Sequence, residues 1–206
     1  MKNILSLVLI FVFTFTNAQE QTYKLISLTV NTNYPLSFGN NFLGKSYSAK
    51  SGFDLAMQFN PTRHLFFGVL KRTYDKTVSN RDLIGDFESA TIDSDYFYAG
   101  YRHNIKSKNF YMEHYLGYGN KKIEHYSFIS SYKIESDNSF LIGSRINFEL
   151  SSDFSVFGGL DFTYTKYNVN LSGPYRDFYN KSLEFSPTLG LKLSFKDSKK
   201  NKNNTN

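Results

Sequence analysis

The strongest constraint on the fold is a strict alternation of apolar and polar side chains, which is clearest in residues 140–165. The apolar positions of its first half are Phe140, Ile142, Ile146, Phe148 and Leu150. Arg145 and Glu149 lie between them. Residues two apart share a face of a β-strand, whereas an α-helix repeats every 3.6 residues. The stretch therefore predicts two strands of a hairpin, each with an apolar face and a face that carries charges.

The same alternation recurs along the chain and predicts eight strands. The predicted segments are 24–31, 52–60, 65–74, 95–104, 110–119, the two halves of 140–165, and 182–195. The third is the least regular, because Phe66 and Leu70 compete with Phe67 for its apolar face. Pro187 lies inside the last segment, where a missing N–H predicts a bulge or the outer end of the strand.

The connections between these segments alternate in length. Asn60–His64, Ile105–Asn109 and Ser151–Asp153 are short polar turns. The long connections are residues 32–50, 75–93, 120–136 and 171–181, which are rich in Asn, Ser, Asp, Gly and Lys. Short turns at one end and long loops at the other are typical of outer-membrane barrels. We therefore predict an all-β fold: an eight-stranded antiparallel up-and-down transmembrane β-barrel over residues 19–195, with short periplasmic turns and long extracellular loops.

The two ends of the chain predict export and a solvated tail. Lys2 precedes an apolar run from Ile4 to Phe15, and Thr16 and Ala18 fit a cleavage site before residue 19. This pattern predicts a signal peptide at residues 1–18. Residues 196–206 are polar and basic, which predicts a disordered tail. The chain has no cysteine, which excludes disulfides and thiolate chemistry, and an exported chain is not expected to bind nucleic acid.

The polar faces of the predicted strands carry charges that would meet inside the barrel. They are Asp54, Arg72, Arg102, Glu113, Arg145, Glu149, Asp161, Glu184 and Lys192. Buried charges persist when they are paired and hydrogen-bonded. Five acids against four bases therefore favour a filled polar lumen, with Asp161 near Arg145, over a gated pore or a set of catalytic carboxylates. On this view Arg145→Leu would strand a buried acid.

Tyrosines near the predicted strand ends suggest aromatic girdles at the two membrane surfaces. The candidates are Tyr23, Tyr34, Tyr74, Tyr96, Tyr118, Tyr164 and Tyr167. Ordinary strand propensity is the alternative explanation for any one of them.

The signal sequence ending in TNAQ, the alternation, the loop asymmetry and the final LGLKLSF resemble the small eight-stranded outer-membrane β-barrels of Gram-negative bacteria, the OmpA-like, OmpX-like and OmpW-like group. The resemblance implies an outer-membrane location, contact with membrane lipid and lipopolysaccharide, a monomer, and recognition by the barrel-assembly machinery through a last strand ending at Phe195. In many members the aromatic residue ends the chain, whereas eleven polar residues follow Phe195 here. Members act as structural proteins, adhesins, pores, secretion accessories or lipid A-modifying enzymes, and the fold alone does not choose among them.

An enzymatic alternative rests on one short motif. The resemblance to outer-membrane lipid A deacylases implies a His-x-Ser pair with a carboxylate, and His125 and Ser127 have that spacing. The candidate carboxylates are Glu124, Glu135 and Asp137. The four histidines show no metal-ligand spacing and no glycine-rich phosphate loop is present, so we predict no cofactor and no metal site.

A second alternative is a periplasmic lipocalin-like carrier, an eight-stranded barrel that is apolar inside. It would place Arg145 and Glu149 in water and the phenylalanines in a cavity. We favour a non-enzymatic outer-membrane barrel with a structural or surface-binding role through its long loops. The candidate loop contacts are Arg81, Phe87, Tyr175, Arg176 and Tyr179.

Overall fold

The structure is a computed structural model that describes residues 24–105, 109–128, 131–169, 173 and 176–196. The predicted signal peptide at 1–18 lies outside the described residues, as do Tyr23, Tyr175 and residues 197–206 of the predicted tail.

The described chain consists almost entirely of strands. They are β1 (Lys24–Asn33), β2 (Leu36–Phe38), β3 (Tyr47–Phe59), β4 (Leu65–Val78), β5 (Ser89–Asn104), β6 (Phe110–Tyr126), β7 (Ser131–Glu149), β8 (Phe154–Tyr167) and β9 (Lys181–Lys196). Two short helices, α1 (Phe42–Ser46) and α2 (Arg176–Tyr179), and a 3₁₀ turn (Arg81–Leu83) lie in the long connections. No helix in the described part of the chain is long and apolar enough to cross a membrane.

The long strands close into a ring. Each pairs antiparallel with its neighbours in chain order, counting β3 as the neighbour of β1, and β1 also pairs with β9. The predicted eight-stranded antiparallel barrel is therefore confirmed. The three-residue β2 is an addition that the sequence pattern did not predict, and it pairs with β9 beyond the end of β1.

The strands are staggered around the ring. On β9 the direct partner of Leu28 is Leu193. In the other direction around the barrel, Leu28 begins a row of outward-facing residues in which each is the direct cross-strand partner of the one before it. The row continues with Met57, Val69, Phe97, Tyr118, Phe140, Tyr164 and Leu183. This path reaches β9 at Leu183, ten residues before Leu193. A stagger of this kind tilts the strands against the barrel axis, and eight strands leave an interior that side chains can fill.

Apolar residues face outward and polar residues face inward. On β3, Phe53, Leu55 and Met57 are each about half exposed, whereas Asp54 and Gln58 on the opposite face of the strand are fully buried. The third predicted segment, whose pattern was the least regular, is β4, and it has Phe66 and Leu70 inside and Phe67 and Val69 outside. This arrangement is the reverse of the one that the lipocalin-like alternative requires.

The apolar outer surface forms a belt that ends on each strand at a polar residue. Towards the long loops, the polar outward residues at which the belt ends on all the long strands except β3 are Thr32, Lys71, Asp95, Asn120, Asn138, Lys166 and Lys181. Beyond the belt the strands continue, so β4 runs to Val78, β6 runs to Tyr126 and β7 begins at Ser131.

The predicted long loop at 120–136 was therefore wrong, and the one at 75–93 was too long. The physical reason is that a strand surrounded by water outside the belt needs no apolar outward face. Its alternation persists with Lys122 and Glu124 outward and with Ile123 and His125 inward, and such a polar composition is typical of loops.

Pro187 interrupts neither β9 nor its register with β8, so the predicted bulge or strand end was wrong. Pro187 lies directly opposite Leu160 in an unbroken ladder. Its carbonyl accepts a hydrogen bond from the N–H of Tyr34 at 3.1 Å. The missing N–H points to that same side, where the chain passes between β1 and β2, so little pairing is lost.

Candidate functional site

The candidate site is the barrel interior together with its outer mouth. Of the nine predicted lumen residues, Asp54, Arg72, Glu113, Arg145, Asp161, Glu184 and Lys192 are buried inside the barrel. The Arg102 side chain is 15% exposed. Glu149 lies at the rim near the short turns, 36% exposed, and bonds Lys24 at 3.2 Å.

A first cluster centres on Glu113 near the short turns. Its carboxylate accepts hydrogen bonds from Arg102 at 2.8 Å and Lys192 at 2.6 Å. The amide groups of Gln58 and Asn147 donate to the same carboxylate at 3.2 and 3.4 Å. One buried carboxylate is thereby shared by two cations from β5 and β9, which ties strands on different sides of the barrel together.

A second cluster centres on Arg72 at mid-height. The guanidinium of Arg72 binds Asp54 through two hydrogen bonds of 2.8 Å and reaches across the lumen to Asp161 at 2.5 Å. Tyr115 also donates its hydroxyl to Asp161. Gly143 makes this packing possible, because a Cβ there would lie 2.2 Å from the Tyr115 ring.

Arg145 does not bond Asp161, which corrects the expected pairing. The guanidinium of Arg145 lies 4.7 Å from the centre of the Tyr115 ring and 4.9 Å from that of Phe157. Its Nε donates to the Tyr115 hydroxyl at 3.0 Å. Asp161 binds Arg72 instead. Arg145 is therefore held by the ring faces of Tyr115 and Phe157 and by the Tyr115 hydroxyl.

A third cluster centres on Glu184, nearer the long loops. Its carboxylate accepts hydrogen bonds from Tyr74 at 2.7 Å, from Ser37 of β2 at 2.9 Å and from Lys121. The ammonium of Lys76 lies 3.3 Å from the other carboxylate oxygen. Lys76 also donates to the carbonyl of Pro35 at 2.9 Å.

Sequence reasoning missed Lys76 and Lys121 because it assigned both to loops. The available signal was the continued alternation Arg72, Tyr74, Lys76 on β4. With them, the described interior holds six cations against the four carboxylates of Asp54, Glu113, Asp161 and Glu184. The predicted near balance of charge is therefore wrong, and the interior carries a positive excess.

The mouth on the long-loop side is covered by an apolar cluster, which we call the cap. Its buried members are Phe42, Leu43, Tyr47, Tyr74, Ala90, Ile92, Ile123 and Tyr167. Val78, Ile84, Ile134, Val169, Phe178 and Tyr179 pack against them. The helix α1 inserts Phe42 and Leu43, which are 1% and 0% exposed, and its N-terminus is capped by Asn41.

The predicted loop contacts divide between the cap and the solvent. Tyr179 stacks on Phe42 at 5.9 Å and donates its hydroxyl to the carbonyl of Leu83 at 2.5 Å, so it holds three loops together. Phe87 is half-buried against His125. Arg81 and Arg176 are exposed.

The predicted tyrosine girdle is only partly outward. Tyr34, Tyr118 and Tyr164 are 40–54% exposed on the outer surface. Tyr74, Tyr96 and Tyr167 are buried instead. Inward tyrosines bond polar partners of the lumen, as Tyr96 does with Ser139 at 2.8 Å.

The structure places the members of the His-x-Ser motif as follows. His125 points inward and its Nδ1 hydrogen-bonds with the Tyr47 hydroxyl. Ser127 follows the end of β6. Glu124 and Glu135 face outward, where each pairs with a lysine of its own strand, Lys122 and Lys133 respectively, and the Asp137 side chain lies outside the described residues. Within the described ranges no three His, Cys, Asp or Glu residues are grouped to hold a metal.

Comparison with known proteins finds likeness in fold alone. No family model and no curated protein match the sequence. Neisserial surface protein A is similar in structure, with a TM-score of 0.62 and 12% identity over 82% of this chain and 97% of that one. OprG from Pseudomonas aeruginosa has a TM-score of 0.53 and 12% identity over 86% and 99% of the two chains.

A further similar structure is Ail of Yersinia pestis in complex with a heparin analogue, with a TM-score of 0.51 and 14% identity over 85% and 100% of the two chains. All three of these structures match over nearly their whole length. The closed ring, the apolar outer belt and these likenesses lead to one conclusion: the chain has the fold of the small eight-stranded outer-membrane β-barrel proteins, with transmembrane strands.

Proposed function

We propose that the chain is a non-enzymatic integral protein of the outer membrane, whose interior is closed to solutes and whose outer rim binds partners at the cell surface. The observation that carries the proposal is the combination of three ion clusters in the lumen with an apolar cap above them. A polar channel needs a continuous water path, and both features oppose one.

The ion clusters support closure because each one reaches across the ring. Arg72 on β4 bonds Asp161 on β8, and Lys192 on β9 bonds Glu113 on β6. The side chains concerned are at most 2% exposed. A channel lined by charge would leave such groups hydrated and would favour ions of one sign. Here each of the four buried carboxylates is bonded to at least one cation, and the remaining cation, Arg145, is held by Tyr115 and Phe157, which favours a structural role for the interior.

The rim supports surface binding because the strands continue well past the apolar belt. β7 has 19 residues and β6 has 17, whereas a tilted strand needs about 9–11 to cross the bilayer. The β6–β7 hairpin therefore projects from the membrane. Near its tip, Phe128 is 95% exposed and Tyr132 is 56% exposed, and exposed aromatic residues are typical of binding surfaces.

The outer belt and β9 suggest the partners on the membrane side. The belt would contact membrane lipid, and its outer edge would contact lipopolysaccharide. β9 pairs with β1 to close the ring and carries the outward Phe195, so its alternating pattern would serve recognition by the barrel-assembly machinery. In the described chain every long strand pairs on both sides and only the three-residue β2 pairs on one side, so little strand edge is open to pairing between copies, which favours a monomer.

Cell fractionation tests the proposal. We expect the full chain in the outer-membrane fraction, extracted only by detergent, with an unheated electrophoretic band that moves differently from the boiled one. Surface labelling of a cysteine placed at Phe128 in intact cells should succeed, whereas a cysteine at Ser152, in a short turn, should react only after lysis. Recovery of the chain in the soluble periplasm, or the opposite labelling pattern, would refute the proposal.

A further inference from the structure

Two lysines face each other on the outer surface of the barrel. Lys166 of β8 and Lys181 of β9 are direct cross-strand partners, and both are exposed. The Cβ atoms of such partners are about 5 Å apart, and like charges in this position destabilise a sheet. A negative charge close to both ammonium groups would therefore stabilise this pair.

Several other outward lysines of the strands lie opposite or bond a carboxylate. Lys71 lies opposite Asp95, and Lys122 lies opposite Glu135. Lys24 is opposite another lysine in register, but it bonds Glu149 at 3.2 Å. Among the described side chains, Lys166 and Lys181 form no ion pair with a carboxylate. The surrounding membrane offers a further source of negative charge.

Their height in the barrel indicates what that source is. The next outward residues towards the membrane are Tyr164 and Leu183, which are themselves cross-strand partners and 40% exposed. Tyr164 continues a row formed by Phe140 and Tyr118, whose rings lie 5.2 Å apart. Aromatic residues of this kind mark the headgroup level of a membrane. The two ammonium groups therefore lie where the phosphates of outer-leaflet lipids are found.

We propose that Lys166 and Lys181 together bind one phosphate group of an outer-leaflet lipid, with lipid A as the ligand of matching chemistry. Each ammonium offers three donors and a compact charge, which suits a phosphate with several acceptor oxygens. The bound phosphate relieves the repulsion between the lysines, and Tyr164 and Leu183 below them contact the acyl chains. This inference rests on the proposed outer-membrane location.

A binding titration with the detergent-solubilised full chain tests the site. The probes are diphosphorylated lipid A and the same lipid lacking both phosphates. We expect the wild type to bind the phosphorylated form more tightly than the form without phosphates. The affinity for phosphorylated lipid A should fall about fivefold in Lys166→Gln and about thirtyfold in the double variant that also carries Lys181→Gln. These factors follow from the usual contribution of a lysine at an anionic surface. The matched control is Lys71→Gln, whose lysine already faces a carboxylate and which should bind as the wild type does.

Lys181→Glu separates binding from folding. It places a carboxylate opposite Lys166, so the barrel should be at least as stable in urea as the wild type, while the preference for phosphorylated lipid A should disappear. Equal affinity of wild type and double variant, or equal binding of both lipids by the wild type, would overturn the site. Displacement of lipid A by inorganic phosphate at the same concentration would also overturn it, since the lipid would then contribute nothing.

Fractionation of the same strains distinguishes the two proposals. A double variant that stays in the outer membrane with unchanged lipid A affinity defeats the phosphate site alone. A wild-type chain found in the soluble periplasm defeats the proposed function itself.

Discussion

The lumen and the cap fill the same barrel by different chemistry. In the lumen, Glu113, Arg72 and Glu184 organise charged side chains that come from the strand walls. In the cap, Phe42 and Leu43 come from a helix in a connecting loop and pack without charge. The lumen therefore depends on the strand register, because its partners meet only when the strands are correctly aligned. The cap depends on loop conformation, and it adjoins the Glu184 cluster through Tyr74, which bonds Glu184.

The largest effect is expected when a cation shared by two acids is removed from the lumen. Arg72→Leu leaves Asp54 and Asp161 buried without their cation, and we expect a loss of about 5 kcal/mol in the free energy of unfolding. Urea titration of the refolded barrel, followed by the heat-modifiable band, measures this loss.

Arg145→Leu is the matched comparison within the same lumen. Arg145 forms no ion pair with a carboxylate among the described residues, so its removal costs aromatic contacts and one hydrogen bond to Tyr115. We expect a loss of about 1 kcal/mol, well below that of Arg72→Leu. Equal losses in the two variants would show that Arg145 does neutralise an acid, as the sequence pattern first suggested.

The cap should respond to lost volume. Leu43→Ala removes a side chain that is 0% exposed within the cap, and a loss of about 3 kcal/mol is expected from burial and cavity formation. Leu36→Ala on β2 is the control, because Leu36 is 43% exposed on the outer surface. Hydrogen exchange should increase at α1 in Leu43→Ala and stay slow on the strand ladders of the lumen. Exchange that increases equally throughout would mean that cap and lumen unfold together.

The smallest effect is expected on the lipid-facing belt. Ile146 is 49% exposed on the outer surface next to Arg145, and Ile146→Leu conserves both volume and apolar character. We expect a change of about 0.5 kcal/mol or less in the same urea titration. A loss as large as that of Leu43→Ala would indicate that the outer face packs against protein and not against lipid.

Much of the fold could be predicted because alternation is a local property of the sequence. Asp54, Glu184 and Lys192 could be assigned to the interior because the residues immediately before and after each of them are apolar and face outward. Partner choice could not be predicted, since whether Asp161 meets Arg145 or Arg72 depends on the stagger of the ring.

The cap was beyond sequence reasoning for a related reason. Phe42 and Leu43 lie in a connection rich in Gly, Asn and Ser, and no periodicity marks them as buried. The polar outer parts of β6 and β7 were likewise assigned to a loop, because a strand in water lacks the apolar face on which the prediction relied.

The most direct test of the closed interior is a planar-bilayer recording of the purified wild-type chain. The ion clusters and the cap predict no steady conductance above the bilayer baseline at neutral pH. The variant Leu43→Ala weakens the cap while the lumen clusters persist. If the clusters block the barrel, Leu43→Ala should also be silent. A large and steady open conductance in the wild type would contradict the account.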